Sequence, residues 1–420
     1  MLSRKMTMAI LVAAGLIAGL LAMSTVRAQT LEGFRSAGGP LVRADGPRAD
    51  LYGKARGYPA CQRLDYIDDL GCRVGAFSAF EDLFPSRPVA RSELASPLPR
   101  AAAEPLITYR YEGQVRNIDD YLDRHPVTGF LLAHGDTILI ERYQYGRTDR
   151  HRLATFSMAK TVVGLLVGLA VADGAIRSID DPAETYAPEL KGTEHGRTPI
   201  KALLTMTSGI AFDEDYAKRS SDIYTLARLT IEQDAAGTVG AVRRFDRRVA
   251  APGERFAYSS LDTVVLGLVL QGATGRTIAD YASERLWKPL GAEAAAAWTL
   301  DANGREIAYA YFHAVLRDWA RLGLMLANRG IWAGRGIVPA AWIDAATRVD
   351  RWPQRTYGYH VWVSPYDRSR FYLSGLRQQY VLVDPDLKLV LVQTSLGGSP
   401  EADVEMTAHW TAAREHLKNR

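Results

Sequence analysis

The sequence predicts an α/β fold in which one antiparallel sheet is built from both ends of the chain and a mainly helical lobe is inserted between them. Two strand-like runs with a turn signal between them lie early in the chain, at 129–145, and a second such pair lies late, at 379–393. The region of about 180–300 shows helical patterns and loops. We expect helices to flank the sheet and a functional site to lie at the seam between the two lobes.

Local patterns predict the individual elements. Gly135-Asp136 and Asp384-Pro385-Asp386 are turn sequences, and each separates two runs rich in aliphatic and β-branched residues. Residues 161–171 (TVVGLLVGLAV) are apolar on nearly all sides, which indicates a helix buried in a core. The other predicted helices are 118–124, 199–206, 261–272, an amphipathic helix at 313–328 and a closing helix at 402–418.

The chain is predicted to have three parts. In Met1–Ala28, Arg4 and Lys5 precede an apolar run of 18 residues, and Val26-Arg27-Ala28 fits a cleavage site. The run is long for a signal peptide and short for a membrane span, so both interpretations stay open. The pattern favours cleavage and export to the periplasm, and an N-terminal anchor in the inner membrane is the alternative. Residues 29–105, rich in Gly, Pro, Arg and Ala, are expected to be an extended segment, and 106–420 one domain.

The charge balance argues against a nucleic-acid partner. The chain has 51 basic and 47 acidic residues, and its first 28 residues hold three of the basic and none of the acidic ones, so the remainder has a net charge of +1. A near-neutral protein offers no electrostatic attraction for a phosphate backbone. We expect a small-molecule substrate and a membrane tether only through the N-terminal segment, and the oligomeric state stays open.

Cys61 and Cys72 are the two cysteines of the chain, and they lie close together behind the export signal. In an oxidising compartment we expect them to form a disulfide that closes a small loop. A metal site would need further ligands nearby, and the eight histidines are scattered outside any H-E-x-x-H pattern. We expect no metal and no cofactor.

Ser157-Met158-Ala159-Lys160 places a hydroxyl group and an amine one helical turn apart, at the start of the predicted buried helix. A lysine can take the proton of a serine only where its surroundings depress its pKa, as burial does. The N-terminus of a helix also favours developing negative charge. The alternative is chance, because S-x-x-K occurs in many unrelated proteins.

Two further elements could complete a catalytic site. In Tyr258-Ser259-Ser260, a tyrosine phenolate beside a lysine could carry the serine proton to a leaving group, provided that the lysine lowers the pKa of the phenol. In Leu373–Leu376, Gly375 would let a strand backbone pass close to a substrate, and the Leu376 N–H could pair with that of Ser157 to hold an oxyanion. An ordinary core tyrosine and a plain strand-entry glycine are the alternatives.

In this order and spacing, the three elements resemble the serine-hydrolase family of class C β-lactamases and low-molecular-weight D-alanyl-D-alanine peptidases, and most closely its 6-aminohexanoate-dimer hydrolase and class VIII esterase branch. The resemblance covers about Val127 to Val392 and implies a β-lactamase/transpeptidase-like α/β fold, with 106–420 as a serine-hydrolase domain. The matching blocks are Phe156–Thr161, Ile179–Pro182, Leu203–Gly209, Tyr258–Ser260, Leu316–Asp318, Tyr357–Tyr359 and Gln379–Pro385.

The resemblance also implies the roles of individual residues. Ser157 would be the acylated nucleophile, and Lys160 and Tyr258 would share general-base and general-acid duty. The backbone N–H groups of Ser157 and Leu376 would form the oxyanion hole. Tyr216 would close over the substrate. The other residues implied to bind substrate are Ser260, Gly375 and Arg377.

Two departures from the family pattern bear on the substrate. Ser260 stands where β-lactamases have Asn, and Leu373 stands where the strand lysine would pair with a substrate carboxylate. Arg377 lies close by and could partly replace that charge. The balance favours an exported serine hydrolase that acts on small, neutral or weakly charged amides or esters. A β-lactamase or D-alanyl-D-alanine carboxypeptidase, and a catalytically idle cell-wall or peptide-binding module, are the alternatives.

Overall fold

A computed structural model of the chain describes residues 39–62, 64–232, 234–351 and 353–419. The predicted signal peptide or anchor, Met1–Ala28, lies outside the described residues. Among the helices that the structure describes, none combines the length and the apolar character needed to cross a lipid bilayer.

The strands of the described residues form one large sheet and three small ones. They are β1 (Leu41–Val42), β2 (Ser86–Val89), β3 (Tyr109–Tyr111), β4 (Gln114–Arg116), β5 (Val127–His134), β6 (Thr137–Tyr143), β7 (Ala296–Thr299), β8 (Phe312–His313), β9 (Ile331–Trp332), β10 (Arg335–Gly336), β11 (Trp362–Val363), β12 (Phe371–Gly375), β13 (Gln379–Asp384) and β14 (Leu389–Ser395). The large sheet has the order β1-β6-β5-β14-β13-β12-β11. In it, β5 pairs antiparallel with both β6 and β14. This pairing confirms the sheet built from both ends of the chain, in which every strand pair is antiparallel except the parallel pair of β1 and β6.

Helices cover both faces of the large sheet. They are α1 (Arg73–Ala76), α2 (Phe80–Leu83), α3 (Ile118–Arg124), α4 (Met158–Ala172), α5 (Ile200–Leu204), α6 (Asp222–Ile231), α7 (Gly237–Arg244), α8 (Ser260–Thr274), α9 (Ile278–Ala282), α10 (Lys288–Leu290), α11 (Leu316–Ala327), α12 (Ala340–Thr347) and α13 (Pro400–Lys418). On one face α11 packs against β5, β13 and β14, and on the other α3 and α13 pack around Phe130 and Leu391. Because β5 and β14 are covered on both faces, their sequences are apolar without alternation.

The mainly helical lobe predicted between the two strand pairs is present. It contains α5 to α10, and its longest helix, α8, packs against α4 and α5 in the interior. The predicted helix at 313–328 begins only at Leu316, because Phe312 and His313 pair with β7 as strand β8. Cross-strand pairing here takes precedence over the helical pattern.

The described part of the N-terminal segment, residues 39–105, is packed onto the rest of the molecule. Its strand β2 pairs with β7, and the side chains of Tyr66, Phe77 and Phe80 are buried in the main core. Its regular elements are short, in line with the weak periodicity of its sequence. Burial of these aromatic side chains supplies the free energy that orders a segment with little regular structure.

Candidate active site

Ser157 lies at the start of α4, where the chain enters the core. Two hydrogen bonds fix the preceding residues: the Ala154 N–H donates to the Phe77 carbonyl at 2.7 Å, and the Thr155 hydroxyl donates to the Phe312 carbonyl at 2.6 Å. Ser157 itself is partly exposed. The free N–H groups and the positive dipole end of a helix N-terminus favour negative charge. Ser157 can therefore be reached from solvent. Negative charge on the oxygen of a bound carbonyl group would be stabilised at this helix N-terminus.

Lys160 lies one helical turn further on and is buried beneath the serine. Its side chain is 1% exposed, and its Nζ lies 2.9 Å from Ser157 Oγ and 3.0 Å from the Tyr309 carbonyl oxygen. Burial disfavours the ammonium ion and lowers the pKa of Lys160 to about 8, although the Glu214 carboxylate acts in the opposite direction. A neutral amine is therefore available at hydrogen-bond distance from the hydroxyl group, as a general base requires.

Tyr258 lies beside this pair, and the pKa of its phenol is raised rather than lowered. Its ring centroid is 5.1 Å from Lys160 Nζ, and the ring stacks on Trp362 at 5.5 Å. Burial, followed by the Glu214 carboxylate, raises the pKa of the phenol, and its interaction with Ser157 offsets only part of this rise. The condition for a phenolate, a Tyr258 pKa lowered by Lys160, is therefore not met. A protonated phenol is a proton donor, so of these two groups Lys160 is the one whose pKa suits a base.

Glu214 is a site residue that the sequence analysis missed. Its carboxylate accepts hydrogen bonds from the Ser260 N–H, from the Ser260 hydroxyl at 2.6 Å and from the Tyr216 hydroxyl at 2.8 Å. It therefore ties together two residues predicted to bind substrate. The local sequence, Phe212-Asp-Glu-Asp-Tyr216, contains three acidic residues in a row, and no spacing rule shows which of them turns toward the site.

Glu214→Gln is expected to lower kcat/KM by about tenfold, because a neutral amide holds Ser260 and Tyr216 less firmly than a charged acceptor does. Removing the carboxylate also lets the pKa of Lys160 fall, since Glu214 raises it. The acidic limb of the pH–kcat/KM profile should therefore move to lower pH. Asp213→Asn, at the exposed neighbouring position, is the matched control. Identical profiles for Glu214→Gln and wild type would contradict the assignment.

The end of β12 comes very close to the chain that precedes the serine. A Cβ atom on Gly375 would lie 2.1 Å from the Thr155 carbonyl oxygen, so only glycine fits there. This approach brings Leu376 to the same pocket as Ser157. Leu373, two residues earlier, is fully buried. Its side chain faces the core, so this position contributes no charge to the site.

A pocket opens to solvent beside Ser157. Ser157, Tyr216, Leu376 and Arg377 line it, so four of the predicted site residues lie together. The other lining residues are aromatic or aliphatic, namely Tyr66, Ile67, Phe156, Ile223, Tyr224, Ala227, Tyr309, Ala310 and Tyr311. Burial lowers the pKa of Arg377, and within the described residues no carboxylate lies within ion-pair distance of it. The pocket is therefore apolar with one cationic group.

Cys61 and Cys72 are joined in a disulfide, with their Cα atoms 5.5 Å apart. Together with Asp69 they form a group of metal-ligand residue types in the described part of the chain. Because the two sulfur atoms are bonded to each other, neither is a thiolate that could bind a metal ion. The other candidate site residues lie well away from this group in sequence.

Comparisons with known proteins show the family and the fold of the chain. The Beta-lactamase family model matches residues 115–415. The 6-aminohexanoate-dimer hydrolase of Paenarthrobacter ureafaciens is 26% identical over 391 residues, which cover 88% of this chain and 95% of that protein. A Bacillus anthracis structure provisionally named 6-aminohexanoate-dimer hydrolase has a TM-score of 0.76 at 22% identity, over 84% of this chain and 96% of its own. A penicillin-binding protein homologue from Pyrococcus abyssi has a TM-score of 0.53 at 19% identity, over 68% and 73% of the two chains.

The matched region contains the Ser157–Lys160 turn, Tyr258 and the strands β5 to β14. It extends over more than half of the chain, and the two similar structures have the same fold at low sequence identity. These findings confirm both the family resemblance and the β-lactamase/transpeptidase-like α/β fold. The chain therefore belongs to the Beta-lactamase family, and it is a serine hydrolase of that family.

Proposed function

We propose that the protein is an exported serine hydrolase that cleaves small amides or esters through an acyl-enzyme on Ser157. The observation that carries this proposal is the 2.9 Å contact between Ser157 Oγ and the buried Nζ of Lys160, whose pKa burial lowers to about 8. A serine beside a neutral amine is an activated nucleophile. The apolar pocket next to it can hold the organic part of a small substrate.

The reaction proceeds in two stages. Lys160 takes the hydroxyl proton as Ser157 Oγ bonds to the substrate carbonyl carbon, and the backbone N–H groups of Ser157 and Leu376 stabilise the oxyanion. The bond to the leaving group then breaks, the leaving group takes a proton from the Tyr258 phenol, and the Lys160 ammonium returns a proton to that oxygen. Water, deprotonated by Lys160, then attacks the acyl-enzyme. As the bond between the acyl carbon and Ser157 Oγ breaks, the Lys160 ammonium returns this proton to Oγ, which releases the acid and regenerates the serine.

The substrate is proposed to be neutral or weakly charged near the reacting bond. Leu373 is buried, so the strand position where the family pattern has a lysine contributes no cation. The Paenarthrobacter relative is named for the hydrolysis of the 6-aminohexanoate dimer, whose internal bond is an amide. An amide or ester of a small aliphatic acid fits both the pocket and this likeness.

A β-lactamase or D-alanyl-D-alanine carboxypeptidase is the second candidate, and Arg377 is the observation that favours it. The guanidinium group lines the pocket, and no described carboxylate forms an ion pair with it. A substrate carboxylate would supply that partner. A labelled penicillin distinguishes the two candidates: a stable covalent adduct or hydrolysis of the β-lactam ring favours the second, and absence of both beside rapid ester turnover favours the first.

Pre-steady-state kinetics with p-nitrophenyl acetate tests the main proposal. We expect a burst of nitrophenolate stoichiometric with enzyme, followed by a slower steady rate, because acylation releases the phenolate before water regenerates the serine. The amide p-nitroacetanilide should give the same acyl-enzyme more slowly. Absence of both a burst and turnover with esters and amides would refute the proposal.

Export and processing are part of the proposal. The charge and apolar pattern of Met1–Ala28 and the disulfide between Cys61 and Cys72 both support an oxidising compartment, the periplasm. We propose cleavage before Gln29, with an inner-membrane anchor as the alternative. N-terminal sequencing of the protein from a periplasmic fraction should begin at Gln29, and membrane-bound protein that begins at Met1 would show the anchor instead.

A further inference from the structure

One wall of the Ser157 pocket comes from the N-terminal segment. Tyr66 and Ile67 belong to a short 3-10 turn, Asp65–Ile67, and both line the pocket. This turn lies inside the loop that the Cys61–Cys72 disulfide closes. The loop precedes residues 115–415, the region that matches the family model, so a part of the chain outside that match shapes the site.

The loop is held in a defined position. The guanidinium group of Arg73, itself buried, donates to the Tyr66 carbonyl oxygen at 2.9 Å and to the Ile67 carbonyl oxygen at 3.0 Å. The planar fork of an arginine fixes two acceptors at once, so the backbone of both wall residues is constrained. An exposed ion pair between Asp68 and Arg219 connects the loop to the segment that follows Tyr216.

The side chains of the two wall residues, Tyr66 and Ile67, differ in how deeply they are buried. The ring of Tyr66 is buried against Phe77 at 5.7 Å and Phe80 at 5.2 Å, so it forms a fixed part of the wall. Ile67 is only partly buried and faces the open pocket. Its side chain is therefore the apolar surface that a substrate group would cover.

The lining of this pocket suits the acyl group of a substrate rather than the leaving group. The described lining residues include Ser157 and Leu376, which hold the carbonyl, but neither Lys160 nor Tyr258. Tyr258 is the proposed donor to the leaving group, so the leaving group departs on the side away from this pocket. Ile223 and Ala227 provide further aliphatic surface within it.

We propose that the disulfide-closed loop sets the acyl specificity of the enzyme, with Ile67 as the specificity-determining contact for aliphatic acyl groups of several carbons. This inference rests on the proposed function. Each methylene buried against an apolar wall should raise kcat/KM by about three- to fourfold. The enzyme should therefore prefer hexanoyl over acetyl esters of the same alcohol.

The test compares p-nitrophenyl acetate with p-nitrophenyl hexanoate, which share a leaving group. In Ile67→Ala we expect the hexanoate-to-acetate ratio of kcat/KM to fall by about fivefold or more, because aliphatic contact area is lost. The loss should be larger for the hexanoate than for the acetate, because the longer acyl chain has more apolar surface to bury. Ile67→Leu, which keeps the same number of carbons, should restore the ratio.

Leu70→Ala is the matched control, since Leu70 lies in the same loop, is exposed and does not line the pocket. It should keep the wild-type ratio. An unchanged ratio in Ile67→Ala, or an equal fall in Leu70→Ala, would overturn the proposal. The burst with acetate tests the Ser157 mechanism separately, so an enzyme with a normal burst and an unchanged ratio refutes the loop's role alone.

Discussion

Ser157→Ala is expected to abolish the burst and to lower kcat for p-nitrophenyl esters by on the order of 10⁴-fold or more, because the variant lacks the hydroxyl group that forms the acyl-enzyme. Lys160 and Tyr258 would remain, but without the serine hydroxyl group no acyl-enzyme forms for them to act on. The measurement is steady-state and stopped-flow release of nitrophenolate by the variant and the wild type.

The control for Ser157→Ala is Ser178→Ala, which removes a hydroxyl group from a loop residue that does not line the pocket. It should keep wild-type kinetics. Circular dichroism of both variants should match that of the wild type, since Ser157 makes no side-chain cap to its helix. A Ser157→Ala enzyme with turnover within about tenfold of wild type would exclude this residue as the nucleophile.

Lys160→Arg is the second substitution expected to have a very large effect. Arginine keeps the positive charge but stays protonated at any accessible pH, so it cannot accept the serine proton. We expect kcat/KM to fall by about 10³- to 10⁴-fold, with no recovery as the pH is raised to 10. The measurement is kcat/KM for p-nitrophenyl acetate across pH 6 to 10.

Lys160→Met provides the comparison, because it fills a similar volume without charge. If Lys160 acts as a base, the arginine and methionine variants should be similarly inactive. If it acts only as a fixed cation, the arginine variant should retain most of the activity and the methionine variant should lose it. The second outcome would contradict the mechanism proposed for this site.

The pH dependence of the wild type follows from the same residue. Burial lowers the pKa of Lys160 to about 8, so the fraction of neutral amine falls as the pH drops below 8. We expect kcat/KM to rise with pH and to level off above a midpoint near 8. Burial also raises the pKa of the Asp262 carboxyl group to about 8, so its titration must be distinguished from that of Lys160 in the pH profile. Asp262→Asn should keep the rising limb, and loss of the limb would assign it to Asp262.

Local sequence signals predicted the parts of the fold that depend on neighbouring residues. The helix Ile118–Arg124 has the predicted bounds, and its Asn117 side chain caps the first turn. Gly135-Asp136 and Asp384–Asp386 lie at the turns of the two predicted hairpins. The apolar helix that follows Ser157 is α4. Each of these elements is determined by a pattern that is complete within a few residues.

Features that depend on distant contacts could not be predicted in this way. Glu214 turns toward Ser260 because the 212–216 segment folds against α8, and its sequence gives no sign of this. The pKa of Tyr258 depends on how deeply the finished site buries the phenol. The aromatic residues of the N-terminal segment are spaced irregularly, and only the assembled core shows that Tyr66 and Phe80 pack together.

Mass spectrometry of the acyl-enzyme tests the central claim most directly. The enzyme is mixed with p-nitrophenyl hexanoate, quenched in acid during the burst and digested to peptides. The account predicts one hexanoyl group on the peptide that contains Ser157, located on that serine by fragmentation, and none in Ser157→Ala. A hexanoyl group on another residue, or an unmodified Ser157 during active turnover, would contradict it.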